Sequence, residues 1–86
     1  MDIEDVFSSK VRMKILKALM QAGELNVTEI ARRLGSNYNA TMKHLKILES
    51  EGVLQRRMFG RISSYRFNEH SQKAVIIQQL IESWIE

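Results

Sequence analysis

A chain of 86 residues, 44% hydrophobic and 27% charged, is long enough for one packed domain, too short for two, and too apolar for a disordered tail. It contains no cysteine, which excludes disulfides and thiolate metal sites and leaves stability to packing or to association of copies in a reducing setting. The net charge of +3 is unevenly spread: residues 32–66 hold eight bases against two acids, a net of +6, and the remainder nets −3. A concentrated basic segment in an otherwise acidic chain is the electrostatic footprint of a nucleic-acid binder.

The elements follow in chain order. Val11, Ile15, Ala18 and Leu19 share one helical face between Ser9, placed to cap the start, and Gly23, placed to stop it. Upstream, Ile3, Val6 and Phe7 have helical spacing too and are expected to pack elsewhere. Asn26 with Glu29 three residues later has the form of a capping box, followed by the apolar stripe Val27, Ile30, Ala31 and Leu34 up to Gly35. Asn37 caps a third helix after a three-residue turn, with Thr41, Leu45 and Leu48 inward and Gly52 at its end. Beyond Gly52 the period changes to that of a β-hairpin, Leu54–Met58 and Ser63–Phe67, with Gly60 in the connecting stretch Phe59–Ile62. From about Ser71, the set Ala74, Ile77, Leu80, Ile81, Trp84 and Ile85 marks a last helix.

This order predicts an α+β, mostly helical fold: a winged helix-turn-helix with a two-stranded hairpin wing and a C-terminal dimerisation helix. In such a fold the second helix of the pair enters the major groove of DNA. With Thr41, Leu45 and Leu48 inward, Asn39, Lys43, Lys46 and Ser50 face outward at 100° per residue, flanked by Tyr38 and Met42. Asparagine pairs with adenine, lysine with guanine or phosphate, and methionine with a thymine methyl. A solvated polar face is the ordinary explanation of such residues taken alone. The arginines at 56, 57, 61 and 66 on the following hairpin shift the balance, because a basic wing clamps flanking phosphates or the minor groove.

The segments Gly23-Glu24-Leu25-Asn26-Val27-Thr28-Glu29-Ile30-Ala31-Arg32-Arg33-Leu34-Gly35 and Lys43-His44-Leu45-Lys46-Ile47-Leu48-Glu49-Ser50-Glu51-Gly52-Val53-Leu54 resemble the winged-helix repressors of the ArsR type, with MarR-type proteins as near neighbours. The resemblance spans about residues 9–67, the winged-helix core. It implies a dimeric repressor whose recognition helix begins at Asn37, with Gly60 and Arg61 in the wing. Metal sensors of that family carry cysteines in the second helix, where this chain has Asn26 and Thr28, so no metal is expected by that route. Thr41 stands where the family places an aliphatic residue.

The expected DNA-binding set is therefore Asn37, Tyr38, Asn39, Met42, Lys43, Lys46, Arg56, Arg57 and Arg61. The apolar arc of the last helix exceeds what one small domain covers, so Ile77, Leu80, Ile81, Trp84 and Ile85 are the expected dimer interface, and residues 1–8 and 71–86 the dimerisation elements. His44, at the border of a core face, and His70, in a cap region, read as packing and capping residues. No nucleophile–base pair or phosphate loop is visible, so neither catalysis nor a cofactor is expected. No apolar run is long enough to span a bilayer, and Met1-Asp2-Ile3-Glu4-Asp5 carries acid where a signal peptide carries base, so the expected location is the cytoplasm, at the nucleoid. The expected function is a sequence-specific regulator of double-stranded DNA acting as a homodimer. The alternatives are a non-specific architectural DNA-binding protein and a winged-helix protein-interaction module.

Overall fold

The structure, a computed structural model, describes residues 9–85, without the side chain of Ile85. Ile3, Val6 and Phe7 lie outside the described residues. Helix α1 covers Lys10–Ala22. Its cap is Ser9, whose Oγ accepts from the Arg12 amide at 3.2 Å, and its end is Gly23, whose N–H donates to the Leu19 carbonyl at 2.8 Å. Gly23 takes φ +85°, a region that side chains with a Cβ avoid.

A three-residue strand, β1 (Glu24–Asn26), leads into α2 (Val27–Leu34). The capping box forms in both directions: Asn26 Oδ1 accepts from the Glu29 amide at 2.8 Å, and Glu29 Oε1 accepts from the Asn26 amide at 3.0 Å. Gly35 turns left-handed at φ +65°, and after the short turn α3 runs from Tyr38 to Ser50, with Asn37 Oδ1 accepting from the Ala40 amide at 2.8 Å. Thr41 is fully buried on the inner face of α3 beside Leu45 and Leu48. Its hydroxyl donates to the Asn37 carbonyl at 2.8 Å, so the helix itself satisfies the polar group that replaces an aliphatic one.

Strands β2 (Leu54–Phe59) and β3 (Ile62–Phe67) form the hairpin, and α4 (Gln72–Ile85) closes the chain, its first turn capped by Ser71 Oγ on the Ala74 amide at 3.2 Å. The expected architecture is present with one addition. β1 pairs antiparallel with β3, so the hairpin belongs to a three-stranded sheet of order β1-β3-β2, with Leu25 opposite Tyr65 and Arg56 opposite the same tyrosine on the other side. Leu25, Leu54, Tyr65 and Phe67 form the buried face of that sheet, against Ile15, Leu16 and Leu19 of α1, Ile30 of α2, and Leu45 and Leu48 of α3.

Helix α4 corrects the expected interface. Ala74, Ile77 and Ile81 are buried in this same core, at 0%, 1% and 4% exposure, so Ile77 and Ile81 cover the chain's own α1 side and leave no surface for a partner. The stripe left open is Ile76, Leu80 and Trp84, four residues apart each time and 49%, 48% and 87% exposed. The 3.6-residue period explains the split, because the two stripes are adjacent on the helix and only one reaches the core.

The capping box generates a direct test of the local logic. Asn26→Ala removes the acceptor for the Glu29 amide while the residue 26 amide can still donate to Glu29 Oε1, and the loss should be about 1 kcal/mol in unfolding free energy by urea titration. A change below the precision of the titration would mean that water replaces the cap without cost.

Candidate nucleic-acid interface

Burying Thr41, Leu45 and Leu48 turns the rest of α3 outward. Asn37, Asn39, Lys43 and Lys46 are exposed, and Tyr38 is half-exposed at the start of the helix. Among the described residues neither lysine has an ion-pair partner, so both ammonium groups are available to an anion. Met42 is different: it is partly buried and packs against the hydrophobic core, which corrects its expected place on the outer flank. Its long, flexible side chain lies toward the apolar side of a border position, where burial is favourable.

The expected wing arginines do not form one patch. The pleat sends Arg56 and Arg57 to opposite faces of β2. Arg56 lies on the core-facing side, its Nε 3.6 Å from Glu49 Oε2 on α3. Arg57 lies on the outer side, 3.4 Å from Glu24 Oε1 on β1 and 5.1 Å above the centroid of Phe59. Arg66 is paired with Glu69. Arg61, in the turn, is exposed and has no ion-pair partner among the described residues. It lines, with Thr28, Tyr38 and Ile62, a recess of about 170 Å³ between the start of α2, the start of α3 and the hairpin tip. The fold thus brings Tyr38 and Arg61 together, far apart as they are in sequence.

Glu49 is the residue that sequence inspection missed. Its carboxylate receives Arg56 and also accepts a hydrogen bond from Tyr65 Oη at 3.3 Å, joining the C-terminal half of α3 to the hairpin. Nothing local to Glu49 signals this, since both partners come from a different element. Glu24 plays the matching part on the outer face, accepting from Ser64 Oγ at 3.1 Å. Phe59 and Ile62, expected in the stretch between the strands, belong to the strands as their last cross-strand pair; their position next to a two-residue turn is the signal that they cannot reach the core.

His44 is half-buried on α3. Its pKa is lowered first by burial and then by the Arg12 charge, and its Nδ1 has no hydrogen-bond partner among the described residues. These are the surroundings of a neutral packing histidine. Among the described residues no three His, Cys, Asp or Glu side chains group as metal ligands, and no helix is long and apolar enough to cross a membrane.

A short inner helix pair, an exposed polar helix face and an adjoining hairpin define a winged helix-turn-helix. Residues 7–57 match the family described as helix-turn-helix domain, and the chain belongs to that family. Its structural neighbours are ArsR-family winged-helix regulators. One is the homodimeric winged helix-turn-helix DNA-binding domain of a possible ArsR-family transcriptional regulator from Mycobacterium bovis, 26% identical, covering 94% of this chain and 72% of that one with a TM-score of 0.78. Another is the transcriptional repressor PagR of Bacillus anthracis, 27% identical, covering 90% and 85% of the two chains with a TM-score of 0.73. By sequence, the chain is similar to the cadmium resistance transcriptional regulatory protein CadC homolog of Staphylococcus aureus, 29% identical over a 79-residue alignment that covers 88% of this chain. The chain spans 65% of the length of that relative. These relatives are transcriptional regulators.

The Glu49 junction carries a pH signature. Burial, and then the Glu49 charge, push the Tyr65 phenol up to about 12 from its ordinary 10.0. The folded state therefore keeps a proton that the unfolded chain releases, and this contribution to stability is whole below pH 10 and lost as pH rises through 12. Urea midpoints measured from about pH 9 upward should fall more steeply for the wild type than for Tyr65→Phe, which has no such proton; parallel profiles would detach Tyr65 from the effect.

Proposed function

We propose that this chain is a sequence-specific transcriptional repressor that binds double-stranded DNA as a homodimer, as a single winged-helix domain over residues 1–86. The observation that carries the proposal is the exposed outer face of α3, with Asn39, Lys43 and Lys46 available beside the Arg61 turn, on a fold shared with regulators. In this proposal α3 lies in the major groove. Asn39 and Lys43 read base edges, Asn37, Tyr38 and Lys46 hold the register on sugar and phosphate, and Arg61 reaches the flanking backbone. Arg56 and Arg57 contribute positive potential while tied to Glu49 and Glu24, so their main work is to hold the wing.

The relative's name connects it with cadmium resistance. Soft metal ions favour thiolate ligands, and this chain has no cysteine, so the repressor proposed here does not take its signal through thiolate coordination.

Homodimerisation is proposed on two grounds: the Mycobacterium bovis neighbour is homodimeric, and the open stripe Ile76, Leu80 and Trp84 is an exposed apolar surface on α4 that a two-fold pair would use twice. A two-fold pair presents two recognition helices to two half-sites about one turn of DNA apart.

Selection of bound duplexes from a random pool, followed by titration, tests DNA reading. Lys43→Ala and Asn39→Ala should each weaken the selected site by about 1–3 kcal/mol and a scrambled duplex much less. Equal losses on both duplexes would assign the residue to phosphate and point to an architectural protein. Arg61→Ala should instead weaken all sequences alike and lower the slope of log affinity against log salt by about 1.

Sedimentation tests the assembly. Trp84 is 87% exposed, so Trp84→Glu should leave the monomer fold intact by circular dichroism while desolvation of the new charge splits the pair. A variant that stays dimeric, or a wild type that is monomeric at micromolar concentration, would remove this stripe from the interface.

A further inference from the structure

The tip of the hairpin is apolar where solvent would favour polar residues. Phe59 and Ile62 form the last cross-strand pair, 51% and 54% exposed, on the outer face of the sheet; Met58, on the opposite face, is 53% exposed. The last pair with a buried member is Arg57 opposite Ser64, which is 7% exposed. Two further residues carry the strands to the tip, a projection of about 7 Å at the usual strand rise. Gly60 has φ +62° and is the only turn residue with positive φ, so the turn is a tight two-residue reversal that holds Phe59 and Ile62 side by side.

Strand propensity alone does not account for this pair, because threonine or tyrosine would serve it equally well in water. We infer that the Phe59–Ile62 pair is a wedge that enters the minor groove flanking the recognition site and partly unstacks a base step. This rests on the DNA-binding proposal above and adds a specific role for the wing.

Three observations select DNA over a protein partner. Residues 56–62 contain three arginines and no acid, a charge complementary to phosphate. The Arg57 guanidinium lies 5.1 Å from the Phe59 ring, so a cation accompanies the apolar surface instead of leaving a plain hydrophobic patch. Ile62 and Arg61 line the same recess as Tyr38, the first residue of α3, which makes the tip continuous with the face proposed for readout. One cross-strand pair is also far smaller than the roughly 1,200 Å² that a stable protein interface buries. Apolar side chains at such a position kink the duplex, most easily at pyrimidine–purine steps.

The test uses the full chain and a duplex selected from a random pool, with 2-aminopurine placed in turn at each flanking step and fluorophores at the two ends. Wild-type binding should raise 2-aminopurine fluorescence at one flanking step on each side and bring the ends closer. The double variant Phe59→Ala with Ile62→Ala should lose both signals and bind about tenfold more weakly, with unchanged base preference at the half-sites. Phe59→Leu should keep most of the signal, because an aliphatic wedge still unstacks. Both substituted positions are half-exposed, and circular dichroism checks that the fold persists. A wild-type complex with no fluorescence rise at any flanking step overturns the wedge and leaves DNA reading by α3 standing, as does a double variant that bends and binds like the wild type. A wild type that enriches no duplex from the pool overturns both.

Discussion

The packing of one short stripe, Thr41, Leu45 and Leu48, is the constraint on which the rest depends. These residues are fully buried, and a helix of 13 residues held by three points along one face has no freedom to rotate about its axis. Its opposite face is thereby presented to solvent with Asn39, Lys43 and Lys46 in line. The energetic scale is large compared with any surface contact, since truncating one buried leucine costs about 2–5 kcal/mol, while an exposed ion pair contributes about 0–1 kcal/mol. Core packing decides orientation, and the surface charges follow it.

A second level of organisation joins the recognition helix to the hairpin. Tyr65 is at once part of the apolar core, the residue opposite both Leu25 and Arg56, and the donor to Glu49. A buried phenol needs an acceptor for its hydroxyl, and the carboxylate that supplies it also attracts Arg56. The result couples helix orientation to the base of the wing through a group that is costly to displace. The outer half of the hairpin lies beyond this anchor, where Met58, Phe59 and Ile62 are about half exposed.

Much of the local structure was legible because its determinants are local. Ser9, Asn26, Asn37 and Ser71 all cap the helices that follow them, and each acts on an amide three residues away. The glycines at 23, 35 and 60 all take positive φ at the boundaries where they were expected. The strand Glu24–Asn26 escaped notice for the opposite reason: three residues are too few to display a period of two, and its partner lies far along the chain, with Glu24 and Ser64 forty positions apart. The division of α4 into a covered stripe and an open one was equally out of reach, since a broad apolar arc does not tell which edge meets the core.

By itself, then, the sequence determined the order of helices and hairpin, the caps that bound them and the polar identity of the outer face of α3, because periodicity and capping act within a few residues of each other. Tertiary structure alone decided that Met42, Ile77 and Ile81 turn inward, that Arg56 and Arg57 part to opposite faces onto Glu49 and Glu24, and that Tyr38 and Arg61 share one recess. Those outcomes depend on which surfaces meet when the elements pack, and residues brought together only by that packing leave no mark in the spacing of either segment.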